Sequence, residues 1–173
     1  MARNIEIKAR IPSVEAFLGK AAALADSEPS RIVQDDTFFN CPNGRLKLRA
    51  FSQGHGELIF YQRPDCAGPK ESTYSIVPTQ APDQLRDALS LAYGRAGRVR
   101  KTRELFLAGR TRIHLDRVEG LGDFLELEVV LREGEPAEDG VKVARDLLAK
   151  LGVAERDLVE GAYVDLFGGG KGY

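Results

Sequence analysis

The sequence predicts an α+β fold built around a largely antiparallel sheet, and three observations support this prediction. Many segments alternate apolar and polar residues with the period of two that is typical of strands. Turns rich in glycine, asparagine and proline separate consecutive strand segments, as they do in hairpins. Helical segments are few and do not alternate regularly with the strands, which argues against a parallel sheet of βαβ units.

The N-terminal half is predicted to be mostly strand. Arg3–Ile11 alternates apolar residues on one face with polar residues on the other, and a helix opens after it with Ser13 as its N-cap. The turn Cys41–Gly44 separates the next two strands, and a glycine turn at 54–56 precedes another. These later strands are expected over Arg31–Asn40, Arg45–Arg49, Glu57–Arg63 and Lys70–Val77.

The C-terminal half is predicted to contain two helices and three strands. The first helix has a proline at its start and a glycine beyond its end, and the second also stops before a glycine. The glycine-rich tail from about residue 168 is expected to be disordered, and the whole chain, 1–173, to form one domain. The elements are the helix Pro82–Tyr93, the hairpin strands Val99–Leu107 and Thr111–Val118, the strand Phe124–Leu131 and the helix from about Ala137 to Leu151.

The composition is typical of a soluble globular protein, with 43% hydrophobic and 29% charged residues. The net charge of −1 argues against a general nucleic-acid binder, which needs excess positive charge. The sequence has neither an apolar run of about 18 residues nor a signal-peptide pattern. Cys41 and Cys66 fit a reduced setting, with a disulfide between them left open. We therefore expect a cytoplasmic protein without membrane or nucleic-acid partners, whose oligomeric state, a homodimer included, stays open.

The polar faces of the predicted strands carry long cationic side chains on nearly every strand, whereas carboxylates are confined to a few strands. The simplest interpretation is an antiparallel sheet with one face in water, where such charges are solvated. If the sheet instead curves until this face lines a cavity, the cations could hold several phosphates and the carboxylates a metal. The cations are Lys8, Arg10, Arg45, Lys47, Arg49, Arg63, Lys101, Arg103 and Arg112, and the carboxylates are Glu6, Asp116, Glu126 and Glu128.

A triphosphate with a divalent metal fits this division of charge. Arginine and lysine neutralise phosphate oxygens directly, and Mg²⁺ prefers carboxylate and phosphate oxygens. Glu126 and Glu128 are two residues apart and hence share one strand face, on which Glu6 of the first strand could converge. We therefore predict a site for a small-molecule triphosphate with Mg²⁺ or Mn²⁺, in which Glu6, Glu126 and Glu128 bind the metal.

Five segments, in order along nearly the whole chain, resemble the CYTH superfamily, the tunnel-fold proteins that include class IV adenylate cyclases and thiamine triphosphatases. The first segment, Asn4–Lys8, resembles the family's E-x-E-x-K strand, although Asn4 replaces the first glutamate. The last segment resembles the class IV cyclase branch in particular. The other four segments are Q-D-D-T-F-F (34–39), G-R-L-K-L-R (44–49), K-T-R (101–103) and H-L-D-R-V-E-G-L-G-D-F-L-E-L-E (114–128).

The resemblance implies an eight-stranded, largely antiparallel β-barrel that forms a polar tunnel, with helices packed outside. It also implies metal binding by Glu6, Glu126 and Glu128. Two further departures from the family pattern bear on activity together with Asn4, since Arg63 replaces a tunnel lysine and Ser72 replaces a glutamate. The catalytic candidates are Lys8, Arg63 and Asp116, and the phosphate-binding candidates are Lys8, Arg45, Lys47, Arg49, Arg63, Lys101, Arg103 and Arg112.

Three further assignments have two interpretations each. Asp36 either orients a phosphate-binding arginine or caps a turn. Asp116 either orders metal-bound water or forms an ion pair with Arg112 or Arg103. His114 either approaches the phosphates or is a packing histidine whose hydrogen bonds are satisfied.

The favoured function is metal-dependent cleavage of a triphosphate. The reaction is either cyclisation of ATP to cAMP, with release of pyrophosphate, or hydrolysis of a terminal phosphate by water. One alternative is a non-catalytic module that senses a triphosphate or polyphosphate, which Asn4 and Arg63 favour. Another is a processor of RNA 5′-triphosphate ends, against which the nearly neutral net charge counts.

Overall fold

The computed structural model describes residues 1–167, which contain eight strands, three helices and two short 3₁₀ turns. The predicted disordered tail from about residue 168 lies outside the described residues. The strands are β1 (Ala2–Arg10), β2 (Ser30–Phe39), β3 (Arg45–Phe51), β4 (Gly56–Gln62), β5 (Lys70–Thr79), β6 (Arg95–Ala108), β7 (Thr111–Val118) and β8 (Gly122–Val130). The helices are α1 (Glu15–Leu24), α2 (Pro82–Tyr93) and α3 (Ala137–Leu151), and the 3₁₀ turns cover Glu155–Asp157 and Tyr163–Leu166.

The eight strands form a closed barrel in the order β1-β5-β4-β3-β2-β6-β7-β8. Every neighbouring pair is antiparallel, and β1 closes the barrel by pairing with both β5 and β8. The predicted α+β fold, with an eight-stranded antiparallel barrel and helices outside it, is thereby confirmed. None of the helices within residues 1–167 is long and apolar enough to cross a membrane.

The main apolar core lies between the outer wall of the barrel and helices α1 and α3. Ile5 and Ile7 of β1 are fully buried in it, together with Leu125 and Leu127 of β8. The polar residues of the same strands therefore face the interior of the barrel, because successive side chains of a strand point to opposite sides. A shift of one residue in the strand register would exchange the two sets. Burial of the apolar set against the helices thus fixes which polar side chains line the interior.

Helix α3 lies close against β1 at Gly140. A Cβ atom at this position would lie 2.6 Å from Ile5 Cγ1 and 2.7 Å from Leu131 Cδ2, well inside the separation at which nonbonded carbons attract one another. The missing side chain therefore allows the helix to approach the strand that carries Glu6 and Lys8.

Strand β6 begins earlier than predicted, at Arg95 rather than at Val99. Its first residues pair with the end of β2, across a register shift between Phe38 and Phe39. Such an irregularity interrupts the alternation of side chains, so a period of two does not reveal the full length of the strand.

Two local predictions concern the start of helix α1 and the two cysteines. The Ser13 hydroxyl accepts a hydrogen bond from the Ala16 N–H at 3.2 Å, the bond expected of an N-cap, while Val14 already has helical backbone angles and makes no side-chain cap. The Val14 N–H donates to the Asp123 carboxylate at 2.7 Å. Both cysteines are free thiols, so the disulfide that the sequence left open is not formed.

Candidate functional site

The interior of the barrel contains a cavity of about 290 Å³ that receives side chains from all eight strands. The expectation that the cation-bearing strand faces converge on one cavity is thereby confirmed, while the role of each residue stays a prediction. The charged side chains and the histidine that line the cavity are Glu6, Lys8, Asp36, Lys47, Arg49, Glu57, Arg63, Lys101, Arg103, Arg112, His114, Glu126 and Glu128.

Two of the predicted inward cations lie elsewhere. Arg45 lines an adjoining recess at one end of the barrel, where its guanidinium lies 2.7 Å from Asp165 and 3.3 Å from Asp65. Arg10 is exposed at the end of β1 and stacks over the Phe124 ring, with 4.7 Å between Cζ and the ring centroid. Both residues have the expected parity but stand at the end of a strand, beyond the cavity. Arg45 therefore lies outside the central cavity, and its role in binding phosphate stays a prediction.

A buried carboxylate, Asp36 of β2, organises the cationic side of the cavity. Arg49 donates to both of its oxygens at 2.8 Å, while the ammonium groups of Lys47 and Lys101 lie 3.0 and 3.3 Å away. Burial alone would raise the pKa of Asp36, but Arg49 and the two lysines outweigh it and hold the pKa well below its usual range. The structure therefore favours the interpretation in which Asp36 orients cations.

Two lysines of the cavity are buried, and burial lowers their pKa values. Burial lowers the pKa of Lys101 to about 7 and that of Lys8 to about 8, although carboxylates partly oppose the effect. The Lys8 ammonium lies 3.9 Å from Glu126 Oε1 and 3.9 Å from the centroid of the Tyr163 ring. A bound polyanion would favour the protonated form of both lysines.

The acidic side of the cavity is built by β1, β7 and β8. Glu126 and Glu128 lie on β8, and His114 of β7 lies opposite Glu126 in the strand register. One ligand atom from each of these three residues lies within 4.8 Å of the others. Burial raises the pKa of Glu126, but nearby cationic groups, Lys8 foremost, outweigh burial and hold it well below its usual range. The three side chains thus form a compact group with carboxylates that stay ionised.

Glu6 of β1 pairs with Glu128 in the strand register, yet its carboxylate is engaged by Arg63. The Arg63 Nη1 atom donates to Glu6 Oε2 at 2.6 Å. Burial raises the pKa of Glu6, and the charges of Glu126 and Glu128 raise it further. Glu6 therefore lies beside the acidic group without belonging to its compact part.

Asp116 does not line the cavity. It is completely buried, accepts two hydrogen bonds of 2.6 Å from Arg103 and a third of 2.7 Å from the Tyr163 hydroxyl. Burial raises the pKa of Asp116, but the paired Arg103 lowers it to about 2. The structure therefore favours the ion pair with Arg103 over the ordering of metal-bound water, and Asp116 acts on the cavity by positioning Arg103.

Two of the three departures from the family pattern, Asn4 and Ser72, are buried side by side. Asn4 lines the cavity, and Ser72 of β5 is its partner in the strand register but does not reach the cavity. Among the residues that the structure describes, neither Asn4 Oδ1 nor Ser72 Oγ has a hydrogen-bond partner. This corner of the barrel therefore carries neutral polar groups next to the charged cavity.

Gln34 and Tyr163 line the cavity, although neither is among the candidate residues predicted from the sequence. Gln34 shares the parity of Asp36 on β2, so the alternation could have indicated it. Tyr163 comes from a 3₁₀ turn outside the barrel, and no periodic pattern marks it. Its position over Lys8 depends on long-range packing.

The comparisons with known proteins agree with this architecture. The CYTH domain family matches residues 2–163 of the chain. The adenylate cyclase CyaB of Aeromonas hydrophila is 25% identical over 171 residues, which cover 92% of this chain and 86% of that protein.

Two solved structures share the fold over nearly their whole length. The PH1012 protein of Pyrococcus horikoshii OT3 has a TM-score of 0.85 at 25% identity, covering 95% of this chain and 99% of the other. HpAC1 from Hippeastrum, described as revealing a dominant triphosphatase activity, has a TM-score of 0.65 at 15% identity, covering 96% of this chain and 95% of the other. The family match over nearly the whole chain, on a closed barrel with a charged interior, shows that this chain belongs to the CYTH domain family.

Proposed function

We propose that the protein is an enzyme that binds a triphosphate and a divalent metal inside the barrel and cleaves the triphosphate. The observation that carries the proposal is the arrangement of charge around one cavity. Its described lining has seven cationic side chains and five carboxylates, so the cavity favours an anion. Three of the cations, Lys47, Arg49 and Lys101, gather around Asp36 of β2. The carboxylates Glu6, Glu126 and Glu128 stand on the adjacent strands β1 and β8, where the other four cations lie near them.

The residues on the acidic side fit a divalent cation. Glu126 and Glu128 offer carboxylate oxygens close together, and the buried Nδ1 atom of the neighbouring His114 lacks a hydrogen-bond partner among residues 1–167. Glu126 and Glu128, with Glu6 beside them, would hold Mg²⁺ or Mn²⁺, which would neutralise charge on the phosphate groups of the substrate.

The cationic side supplies positioning. Asp36 fixes Lys47, Arg49 and Lys101 before any substrate binds, so little reorganisation is needed when phosphate oxygens meet them. Most of the catalysis of phosphoryl transfer comes from such positioning and charge stabilisation. A preorganised cluster of cations of this kind is therefore suited to binding a triphosphate.

Arg63 and Lys8 are suited to different tasks. Burial alone would lower the pKa of Arg63, but Glu6 raises it above its usual value, so Arg63 keeps its proton and serves to bind charge. The pKa of Lys8 is lowered to about 8, which makes Lys8 the candidate for moving a proton near neutral pH.

Two reactions use the same binding groups. In cyclisation, the ribose 3′-hydroxyl of ATP attacks the α-phosphorus and pyrophosphate leaves, and the similarity to an adenylate cyclase supports this reaction. In hydrolysis, water attacks a terminal phosphorus, and the dominant triphosphatase activity of the structural neighbour HpAC1 supports this one. A non-catalytic sensor is the second candidate, because Asn4 removes a carboxylate from the site and Arg63 replaces a lysine that could exchange a proton.

The test is to incubate the purified protein with ATP, tripolyphosphate and thiamine triphosphate, each with Mg²⁺ or Mn²⁺, and to separate the products by chromatography. Formation of cAMP with pyrophosphate identifies a cyclase, and release of orthophosphate identifies a hydrolase. Lys101→Met should lose most of the activity, whereas Arg100→Met, at the neighbouring outward position of β6, should keep it. If no substrate is turned over but the ligands still bind, the sensor replaces the enzyme, and absence of binding contradicts both.

A further inference from the structure

The acidic side of the cavity contains a nitrogen donor, His114, next to the two carboxylates of β8. His114 projects from β7 into the cavity with only 3% of its side-chain surface exposed. Its Nδ1 atom lies 3.5 Å from Glu126 Oε2, and its Nε2 atom lies 3.9 Å from Glu128 Oε2. Only one nitrogen of an imidazole can bind a given ion, and the 3.5 Å between Nδ1 and Glu126 Oε2 is a separation at which two ligands share an ion when each binds at about 2.1 Å.

The hydrogen bonds of His114 do not account for its burial. The Nδ1 atom has no hydrogen-bond partner in the part of the chain that the structure describes. The Nε2 atom lies 3.5 Å from Arg103 Nη1, at the outer limit of a hydrogen bond. Buried polar atoms nearly always have a hydrogen-bond partner. A buried imidazole that faces the cavity without such a partner, beside two carboxylates, therefore indicates that a bound ion or molecule supplies one.

We infer that His114 is a metal ligand together with Glu126 and Glu128, and that this mixed nitrogen and oxygen site prefers first-row transition dications such as Mn²⁺ or Co²⁺ over Mg²⁺. The inference rests on the proposed function, since it names the class of metal for the same site. The chemical reason is that Mg²⁺ prefers oxygen ligands, whereas imidazole suits transition metals.

Because of the surrounding cations, binding of the metal depends on a bound anion. Arg103 lies 3.2 Å from Glu126 Oε2, and Arg112 lies 2.8 Å from Glu128 Oε2, so each carboxylate already has a cationic partner. A dication placed among these groups needs further negative charge nearby. The metal therefore binds together with a polyphosphate, and the experiment uses tripolyphosphate as the anion.

The experiment follows the Co²⁺–tripolyphosphate complex of the protein by proton NMR. A histidine bound to high-spin Co²⁺ gives strongly shifted, exchangeable imidazole N–H resonances. The chain has two histidines, so His55, in a turn outside the cavity lining, provides the matched control. The shifted resonance is expected in the wild type and in His55→Gln, and it should be absent in His114→Gln.

Metal competition provides an independent measurement. In the presence of tripolyphosphate, the wild type is expected to bind Mn²⁺ or Co²⁺ at least about tenfold more tightly than Mg²⁺. His114→Gln should reduce this preference by about tenfold, through weaker binding of the transition metal, while the affinity for Mg²⁺ changes little.

Several results would overturn the inference. A wild-type complex with bound Co²⁺ but no shifted imidazole resonance excludes His114 as a ligand, whether or not the variants fold. An unchanged metal preference in a folded His114→Gln protein does the same. Binding of Mg²⁺ without binding of Co²⁺ or Mn²⁺ contradicts the inference alone, whereas failure of all three ions to bind also contradicts the metal-dependent function. If the resonance is present but no triphosphate is cleaved, the proposed activity fails while the ligand assignment stands.

Discussion

At the scale of single residues, Asp36 controls the cationic half of the cavity. It is 1% exposed and contacts two lysines and an arginine from β3 and β6. Removal of one partner from a buried ion pair leaves an uncompensated charge, which is more harmful than loss of the whole pair. The stability of the barrel and the geometry of its phosphate-binding groups therefore depend on the same carboxylate.

Asp36→Asn tests this dependence. The substitution keeps the shape but leaves three cations without their shared anion, so we expect the free energy of unfolding to fall by about 3–5 kcal/mol. Added tripolyphosphate should restore more stability to this variant than to the wild type, because it supplies the missing negative charge. Denaturant titration with and without the anion measures both effects. Asp35→Asn, at the neighbouring outward position, is the control, and equal losses in the two variants would contradict the assignment.

Lys101 provides a pH-dependent prediction. Its pKa is lowered to about 7 by burial, and a bound triphosphate should raise it, so binding near pH 8 is expected to take up protons at this lysine. Below about pH 6 the lysine is already protonated and this uptake should vanish. The groups that face Lys101 are Asp36 of β2, Lys47 and Arg49 of β3, Arg103 of β6, Asp116 of β7 and Tyr163 of the last 3₁₀ turn.

Calorimetric titration with tripolyphosphate in buffers of different ionisation enthalpy measures the number of protons taken up. Lys101→Met should bind with less uptake at pH 8 than the wild type, while Arg100→Met should match the wild type. Identical proton uptake in Lys101→Met and the wild type would show that Lys101 does not titrate on binding.

At the scale of the elements, the packing of α3 against β1 links an outer helix to the cavity wall. Gly140 allows the close approach, and the opposite face of the same stretch of β1 presents Glu6 and Lys8 to the interior. A change in the position of α3 would therefore shift the side chains that β1 places in the cavity.

Gly140→Ala is expected to destabilise the protein although alanine favours helices by about 1 kcal/mol. The added Cβ would clash with Ile5 and Leu131, and overpacking of this kind costs about 1–3 kcal/mol. Gly19→Ala in α1 is the control, since a Cβ there has no neighbour within 4 Å and the propensity gain should appear as increased stability. Thermal unfolding of both variants provides the comparison. A stabilised Gly140→Ala protein would contradict the close-packing argument.

The strands also show how much of the fold and of the candidate site can be predicted from the sequence. Alternation of apolar and polar residues predicted the strands and the inward direction of Lys47, Arg103 and Glu128 correctly, because burial against the helices enforces parity. Parity does not give the height of a residue along the barrel axis. Arg45 has the same parity as Lys47, yet it stands at the end of β3, where Asp165 from the distant C-terminal turn engages it.

Other features depend on contacts between strands that are far apart in the sequence. His114 could be placed on an inward face, but its approach to Glu128 requires the register of β7 against β8. The pairing of Asp116 with Tyr163 likewise depends on a 3₁₀ turn that packs across the barrel end. Local patterns carry no information about such distances.

At the scale of the whole molecule, the barrel concentrates like charges in a confined space. Bringing in a polyanion reduces their repulsion, and any ligand that binds only the folded state raises its apparent stability. We therefore expect tripolyphosphate with Mg²⁺ or Mn²⁺ to raise the melting temperature more than orthophosphate or sulfate does at matched ionic strength. Equal shifts for all these anions would indicate a surface effect that salt screens, and would contradict a triphosphate site.

The closure of the barrel by β1 and β8 also has a consequence for biosynthesis. Asn4 pairs with Val130, and Lys8 pairs with Glu126, so β1 is synthesised well before β8, the partner strand that completes the ring. Contacts of such long range form late in folding, and an unpaired strand edge invites association with other chains. The seam between β1 and β8 carries Glu6, Glu126 and Glu128. A nascent chain can therefore assemble its cationic wall around Asp36 once β6 has emerged, whereas the acidic wall must wait until β8 has left the ribosome.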